Sequence, residues 1–141
     1  MTFTSLSVEL VDCIVQLQNS CFPDGWDKKM LLDGLNNGLL GIVAIDNDEI
    51  LGFITYSKNI DFAEINDILV APAFRRQGLA KQLLNRIELL LKDKTQKIFL
   101  EVRESNFPAI NLYKSAGFKQ ISVRKKYYSD GENALVMQKE L

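Results

Sequence analysis

Apolar residues recur at Leu10, Ile14, Leu17 and Cys21, a spacing that predicts an amphipathic helix over residues 5–21 with Ser7 as its N-cap. Phe22-Pro23-Asp24-Gly25 breaks the pattern. Asp27 then reads as the cap of a second helix, with Met30, Leu31 and Leu35 as its apolar contacts and Asn36-Asn37-Gly38 as its end. From there the period changes. Residues 39–45 form an apolar run of strand length, Asp46-Asn47-Asp48 a turn, and residues 50–56 a second strand, so the two read as a hairpin. Gly52 inside that strand marks a bulge or a close backbone approach. A third strand covers 63–70 and stops at Ala71-Pro72-Ala73, because proline has no N–H to give a ladder.

The clearest helical pattern follows. Leu79, Leu83, Ile87 and Leu90 predict one apolar stripe over 78–93, widened by Ala80, Leu84 and Leu91, with Lys81, Arg86, Glu88 and Lys92 around it. Residues 97–103 read as a strand. A helix over 106–116 has Ser105 or Asn106 near its N-cap, Pro108 in its first turn and Gly117 as the residue that ends it. Two closing strands, 118–128 and 134–137, flank the turn at Asp130-Gly131. Hairpinned strands beside a strand–helix–strand crossover imply an α/β fold of the mixed α+β kind, a mixed sheet with helices packed on it.

Composition narrows the reading. The chain has 141 residues, so residues 1–141 are expected to form a single domain. Apolar residues make up 47% and charged residues 25%, values of a soluble globular protein rather than a disordered one. A net charge of -1 offers no broad basic field for nucleic acid. No apolar run reaches membrane-spanning length, and Met1-Thr2-Phe3-Thr4 does not open a leader, so the expected location is cytoplasmic, with no membrane partner. Cys13 and Cys21 occur without any histidine, which argues against a metal centre. They lie roughly two helical turns apart, too far for a disulfide, and read as small buried or half-buried residues.

Candidate chemistry starts where the third strand feeds the long helix. Arg75-Arg76-Gln77-Gly78-Leu79-Ala80 sits at that helix's start, where unpaired N–H groups and the positive end of the dipole stabilise phosphate oxygens. Gly78 permits close backbone approach, and Arg75, Arg76 and Lys81 add positive charge. Cations at a helix N-terminus oppose the dipole, and a bound anion explains them. The alternative is a surface turn with two solvated arginines.

The same segment matches the pyrophosphate motif Gln/Arg-x-x-Gly-x-Gly/Ala and resembles the GNAT superfamily of acetyl-CoA-dependent N-acetyltransferases. Asp67-Ile68-Leu69-Val70-Ala71-Pro72 is similar to that family's strand that pairs with the cofactor's pantetheine arm. Leu100-Glu101-Val102-Arg103-Glu104-Ser105-Asn106, Ala109-Ile110, Leu112-Tyr113, Gly117-Phe118, Arg124-Lys125-Lys126-Tyr127-Tyr128 and the surroundings of Cys21-Phe22-Pro23 and Trp26 are similar to the bacterial ribosomal-protein-alanine N-acetyltransferases. The resemblance spans residues 6–137. It implies an acyl-CoA N-acyltransferase fold with a central, mostly antiparallel sheet. It also implies acetyl-CoA as co-substrate, no metal, and a protein N-terminal peptide, above all that of a ribosomal protein, as partner; the oligomeric state is left between monomer and weak dimer. By the same resemblance Ile68, Leu69, Val70, Arg75, Arg76, Gln77, Gly78, Leu79, Ala80, Lys81 and Asn106 bind the cofactor, with the Val70 backbone as donor to the thioester oxygen.

Two residues stand out for proton transfer. Glu101 places a carboxylate inside the apolar run Ile98-Phe99-Leu100-Glu101-Val102, on the strand face shared with Phe99 and Arg103. It reads either as an outward glutamate paired with Arg103 or Lys97, or, by the resemblance, as the base that takes the amine proton. Tyr113 reads as a packed tyrosine beside Ala109 and Ala116, or by the resemblance as the acid that protonates the departing thiolate. Glu64 is a second strand carboxylate that assists or replaces Glu101. Arg103 and the Arg124–Tyr128 segment line the acceptor groove in this reading, against the alternative of a solvated edge strand. A peptide α-amine, pKa about 7.7–8.0, is far closer to neutral than lysine at about 10.4, which makes an N-terminus the easier acceptor. A small-molecule amine, a lysine side chain, or a non-catalytic coenzyme A-binding module are the alternatives.

Overall fold

The computed structural model of the chain describes residues 1–21 and 25–141, and the predicted break at Phe22-Pro23-Asp24 lies outside them. Among the described residues one sheet runs in the order β1-β2-β3-β4-β5-β7-β6. Its strands are β1 Thr2–Ser5, β2 Leu40–Asp46, β3 Glu49–Lys58, β4 Phe62–Val70, β5 Lys97–Arg103, β6 Lys119–Arg124 and β7 Ala134–Glu140. The α-helices are α1 Val11–Cys21, α2 Lys28–Asn36, α3 Leu79–Leu91 and α4 Phe107–Ser115. Only β4 and β5 pair in parallel, joined through α3, and every other pair is antiparallel. The expected mixed, mostly antiparallel sheet with flanking helices is the observed architecture.

Strand alternation divides the core in two. Val43, Phe53 and Leu69 point to one face, where Val11 and Ile14 of α1 and Leu31 of α2 cover them. Ile42, Ala44, Ile54, Ile98, Leu100 and Met137 point to the other, under Leu83, Leu84 and Ile87 of α3 and Ile110 of α4. Phe99, Glu101 and Arg103 lie on the α1–α2 face but beyond the helices that cover it, and remain half-buried.

Local chemistry accounts for most boundaries. Asp27 caps α2 by accepting from the Met30 N–H at 2.8 Å. Asn47 and Asp48 both take positive φ, 49° and 63°, in the turn between β2 and β3. Gly52 is a close approach: a Cβ there would meet the Leu69 carbonyl oxygen at 2.7 Å.

Several expectations are corrected. The first helix does not begin at residue 5, because Thr2–Ser5 pairs with β2 as an edge strand and Val8–Leu10 forms a 3₁₀ turn. Ser7 starts that turn through its carbonyl, which accepts from the Leu10 N–H at 3.1 Å, not through its hydroxyl. Leu90 is 63% exposed although it shares the helical stripe of Leu83; it lines a surface groove beside Phe3 and Arg86, and Leu91 is buried in the core instead. Met30 and Cys13 are exposed as well. The strand predicted over 118–128 ends at Arg124, and Lys126 then adopts φ 52°, which no strand tolerates.

One irregularity makes room for a site. Tyr56 pairs with Ile65 and Thr55 with Asp67, so Asn66 is an extra residue bulged out of β4. Parallel pairing to β5 covers only Phe62–Ile65 against Lys97–Leu100. Beyond the bulge, residues 66–70 and 101–103 have no mutual pairing, and a gap opens in mid-sheet.

Candidate active site

Backbone direction at the gap follows from the ladder. The Ala71 N–H bonds the Leu51 carbonyl at 2.8 Å in the register that pairs Gly52 with Val70 and Phe53 with Leu69. Antiparallel alternation therefore turns Leu69 and Asp67 toward β3 and turns the backbone groups of Ile68 and Val70 toward the gap. Leu69, one of the predicted cofactor residues, instead buries its side chain under α1 and α2 and engages its backbone with β3.

The turn after β4 carries the predicted anion site. Gly78 precedes α3 with φ 77° and Arg76 has φ 64°. The first bond of the helix runs from the Gln82 N–H to the Gly78 carbonyl at 3.1 Å, so the N–H groups of Leu79, Ala80 and Lys81 point out of the helix end. Arg76, Gln77, Gly78 and Lys81 are exposed around this end, Ala80 is half-buried and Leu79 anchors the turn in the core. Arg75 ties the turn back to the sheet: its Nε donates to the Val70 carbonyl at 3.1 Å, and its Nη2 lies 3.7 Å from Cys21 Sγ. Asn106 sits across the gap at the start of α4, where its side-chain oxygen accepts from the Ala109 N–H at 3.3 Å.

On the α1–α2 side of the sheet the gap runs into a groove of about 860 Å³ lined by Phe62, Glu64, Phe99, Glu101, Tyr127 and Tyr128 among others. Phe62 and Phe99 meet edge to face at 5.6 Å and form an apolar floor. Glu101 is neither free nor paired with Arg103 or Lys97: Arg124 Nε lies 2.9 Å from its Oε1. A hydrogen bond to Glu101 is the main cause that pushes the Tyr127 phenol above its ordinary range. Arg103 is not among the groove-lining residues. It pairs with Asp130 at 2.8 Å and Glu132 at 3.0 Å and stacks 4.0 Å over Tyr128, so it holds the β6–β7 connection rather than the acceptor face. Arg124, Tyr127 and Tyr128 line the groove; Lys125 and Lys126 do not.

Tyr113 is 6% exposed, packed edge to face on Phe118 at 5.8 Å. Burial first, then the charges of Asp67 and Tyr128, push its phenol far above the ordinary range, so it holds its proton at any physiological pH. The Asp67 influence exposes a group that sequence reasoning missed. Gln18 of α1 is 4% exposed and donates through Nε2 to Asp67 Oδ2 at 2.7 Å, and burial raises the Asp67 carboxyl. A signal was present: Asp67 interrupts an apolar strand as Glu101 does, and Gln18 falls on the stripe of Ile14.

The sequence profile described as the Acetyltransferase (GNAT) family matches residues 11–118. A [ribosomal protein bS18]-alanine N-acetyltransferase of Haemophilus ducreyi is 38% identical over 117 residues, covering 79% of this chain and 81% of that protein. An N-alpha-acetyltransferase of Saccharolobus solfataricus is 30% identical over 155 residues, covering 99% and 93%. The crystal structure of the ribosomal-protein-S18-alanine N-acetyltransferase from Escherichia coli superposes with a TM-score of 0.90 at 29% identity, covering 99% of this chain and 92% of that one.

Proposed function

The chain belongs to the GNAT acetyltransferase family, and from that premise we propose that it acetylates the N-terminal α-amine of a protein, namely the N-terminal alanine of a small-subunit ribosomal protein. It is an acetyl-CoA-dependent N-acetyltransferase; the acceptor and the residue roles are the proposal. The observation that carries it is the gap between β4 and β5, which opens at one end on the α3 N-terminus and at the other on a groove holding Glu101. The acceptor class is supported by the likeness to relatives named for terminal amines.

The residues suit a pyrophosphate-bearing thioester. Outward N–H groups at Leu79, Ala80 and Lys81, with Arg76 and Lys81 beside them, would hold the diphosphate. The gap-facing backbone of Ile68 and Val70 would pair with the extended arm, with the Val70 N–H donating to the thioester oxygen as charge develops there. Gln77, Gly78 and Asn106 flank that path, and Arg75 fixes its geometry through the Val70 carbonyl. Acetyl-CoA supplies an activated acyl group and a thiolate leaving group.

Glu101 receives the proton of the incoming amine from the groove. Tyr113, kept protonated by burial and by Asp67, gives its proton to the sulfur. An N–C bond forms as the C–S bond breaks. Starting from an ammonium acceptor, one proton leaves by Glu101 to solvent, and the second nitrogen proton replaces the one Tyr113 gave.

The test is acceptor screening with purified enzyme, acetyl-CoA and mass spectrometry. One acetyl group on the α-amine of a peptide starting with the ribosomal-protein alanine is expected, and none when that amine is blocked. Turnover restricted to polyamines or lysine side chains would replace this reading. Coenzyme A binding with no turnover on any amine would make the protein a non-catalytic module.

A further inference from the structure

Arg124 reaches Glu101 by an unusual route. It lies on edge strand β6, opposite Ala134 of β7, while Glu101 lies on β5, opposite Val136 of β7. Its side chain therefore crosses a whole strand, a span of about 9–10 Å, to put Nε 2.9 Å from Glu101 Oε1. It remains 58% exposed while doing so, and its guanidinium stands 5.9 Å from the Tyr127 ring centroid. Arg103, the nearer cation, is committed to Asp130 and Glu132. Glu64, the other carboxylate of the groove, has no ion pair among the described residues. Thus the cation that crosses the groove goes to one carboxylate only, the one assigned to receive the amine proton.

We propose that Arg124 is an internal placeholder for the acceptor's ammonium group: it occupies Glu101 while the groove is empty, yields to a cationic acceptor, and returns when the acceptor has become a neutral amide. This rests on Glu101 as the base. Chemistry gives the exchange a direction. The arriving N-terminus carries the same charge as the guanidinium and replaces it like for like at Glu101. The acetylated product has no charge and cannot hold the carboxylate against Arg124, so the returning arginine favours product release. An exposed ion pair is weak, so displacement is easy and the effect on affinity is modest.

Arg124→Ala and Arg124→Gln test this, with calorimetric binding of an alanine-starting peptide and of its N-acetylated form, and with steady-state kinetics. Removing the placeholder should tighten both peptides by about two- to fivefold, lower the acceptor KM by a similar factor and strengthen product inhibition. Arg124→Lys keeps the charge on a different head group and should lie between. Weaker peptide binding, or a tenfold loss of kcat with unchanged KM, would overturn the proposal, the first by making Arg124 an acceptor contact and the second by making it a support for Glu101. Full activity of Glu101→Gln would instead remove the base assignment, while the binding measurements on the Glu101-containing variants would still decide whether Arg124 competes with the peptide.

Discussion

Gln18 on α1 and Asp67 on β4 join at 2.7 Å through one hydrogen bond that closes the α1 face of the sheet against the strand lining the gap. The amide can donate to the carboxylate only by turning its own oxygen aside, and Gln18 Oε1 is left buried without a partner among the described residues. Asp67 is therefore a buried carboxylate held by a single side-chain donor, beside the tyrosine assigned as acid.

That arrangement sets a pH dependence of stability. Burial raises the folded-state pKa of Asp67 above its unfolded value, near 3.9. The folded state then holds its proton more tightly than the unfolded state, so this contribution is fully present below about pH 3.9 and is lost as pH rises through the raised value. Asp67→Asn keeps an oxygen for the Gln18 donor but removes the charge. Its melting temperature should exceed that of the parent at pH 7–8, and the gap should close toward acid pH. A gap that stays constant from pH 3 to 8 would mean that the Asp67 carboxyl is not perturbed. Gln18→Ala removes the donor and should destabilise by about 1–3 kcal/mol.

Glu101→Gln keeps the size of the side chain and abolishes its capacity to take a proton. The rate should fall by about 10²–10⁴-fold with acetyl-CoA affinity unchanged, because the residue lies in the groove and not at the α3 turn. Single-turnover rates with a saturating peptide check this, and an unaltered rate would pass the role to Glu64, which lines the same groove.

Tyr113→Phe removes one hydroxyl from a ring that packs on Phe118. The fold should survive, with a melting temperature close to the parent's, while the chemical step slows by about tenfold to a hundredfold. A drop in stability with the chemical step intact would make the phenol a packing group.

The parts of this fold that were legible in the sequence are those fixed by local chemistry. Asp27, Gly117, Asn47-Asp48 and the alternation of Lys97–Arg103 mark their own conformations, and the structure keeps each of them. β1 was not legible, because Thr2-Phe3-Thr4-Ser5 offers one apolar residue and owes its conformation to the free edge of β2. Leu90 keeps the helical period and is still exposed for a related reason: the period marks a face, while how far the sheet and β1 cover that face depends on residues distant in the chain. At the site, the Arg75–Ala80 turn and Glu101 announce themselves by residue type. The bulge at Asn66 and the partners of Glu101 and Asp67 depend on contacts between residues distant in the chain, which no local pattern encodes.

The Arg75 side chain makes a prediction that separates structure from charge at the phosphate turn. Its Nε bonds the Val70 carbonyl, so it works as a brace between β4 and α3, whereas Arg76 and Lys81 stand exposed with no such bond to the strand. Arg76→Ala should weaken acetyl-CoA binding through lost charge, and the deficit should shrink at high salt, where exposed charges are screened within about a Debye length. Arg75→Ala should weaken it by about tenfold or less, in a manner that salt does not mask, because what it loses is the position of the Val70 backbone. Arg75→Lys keeps the charge without the fork that reaches the carbonyl and should behave like the alanine variant. Acetyl-CoA titrations of the three proteins at low and high ionic strength check this. If Arg75→Lys binds like the parent and Arg75→Ala recovers at high salt, Arg75 acts as a charge for the diphosphate and the brace is incidental.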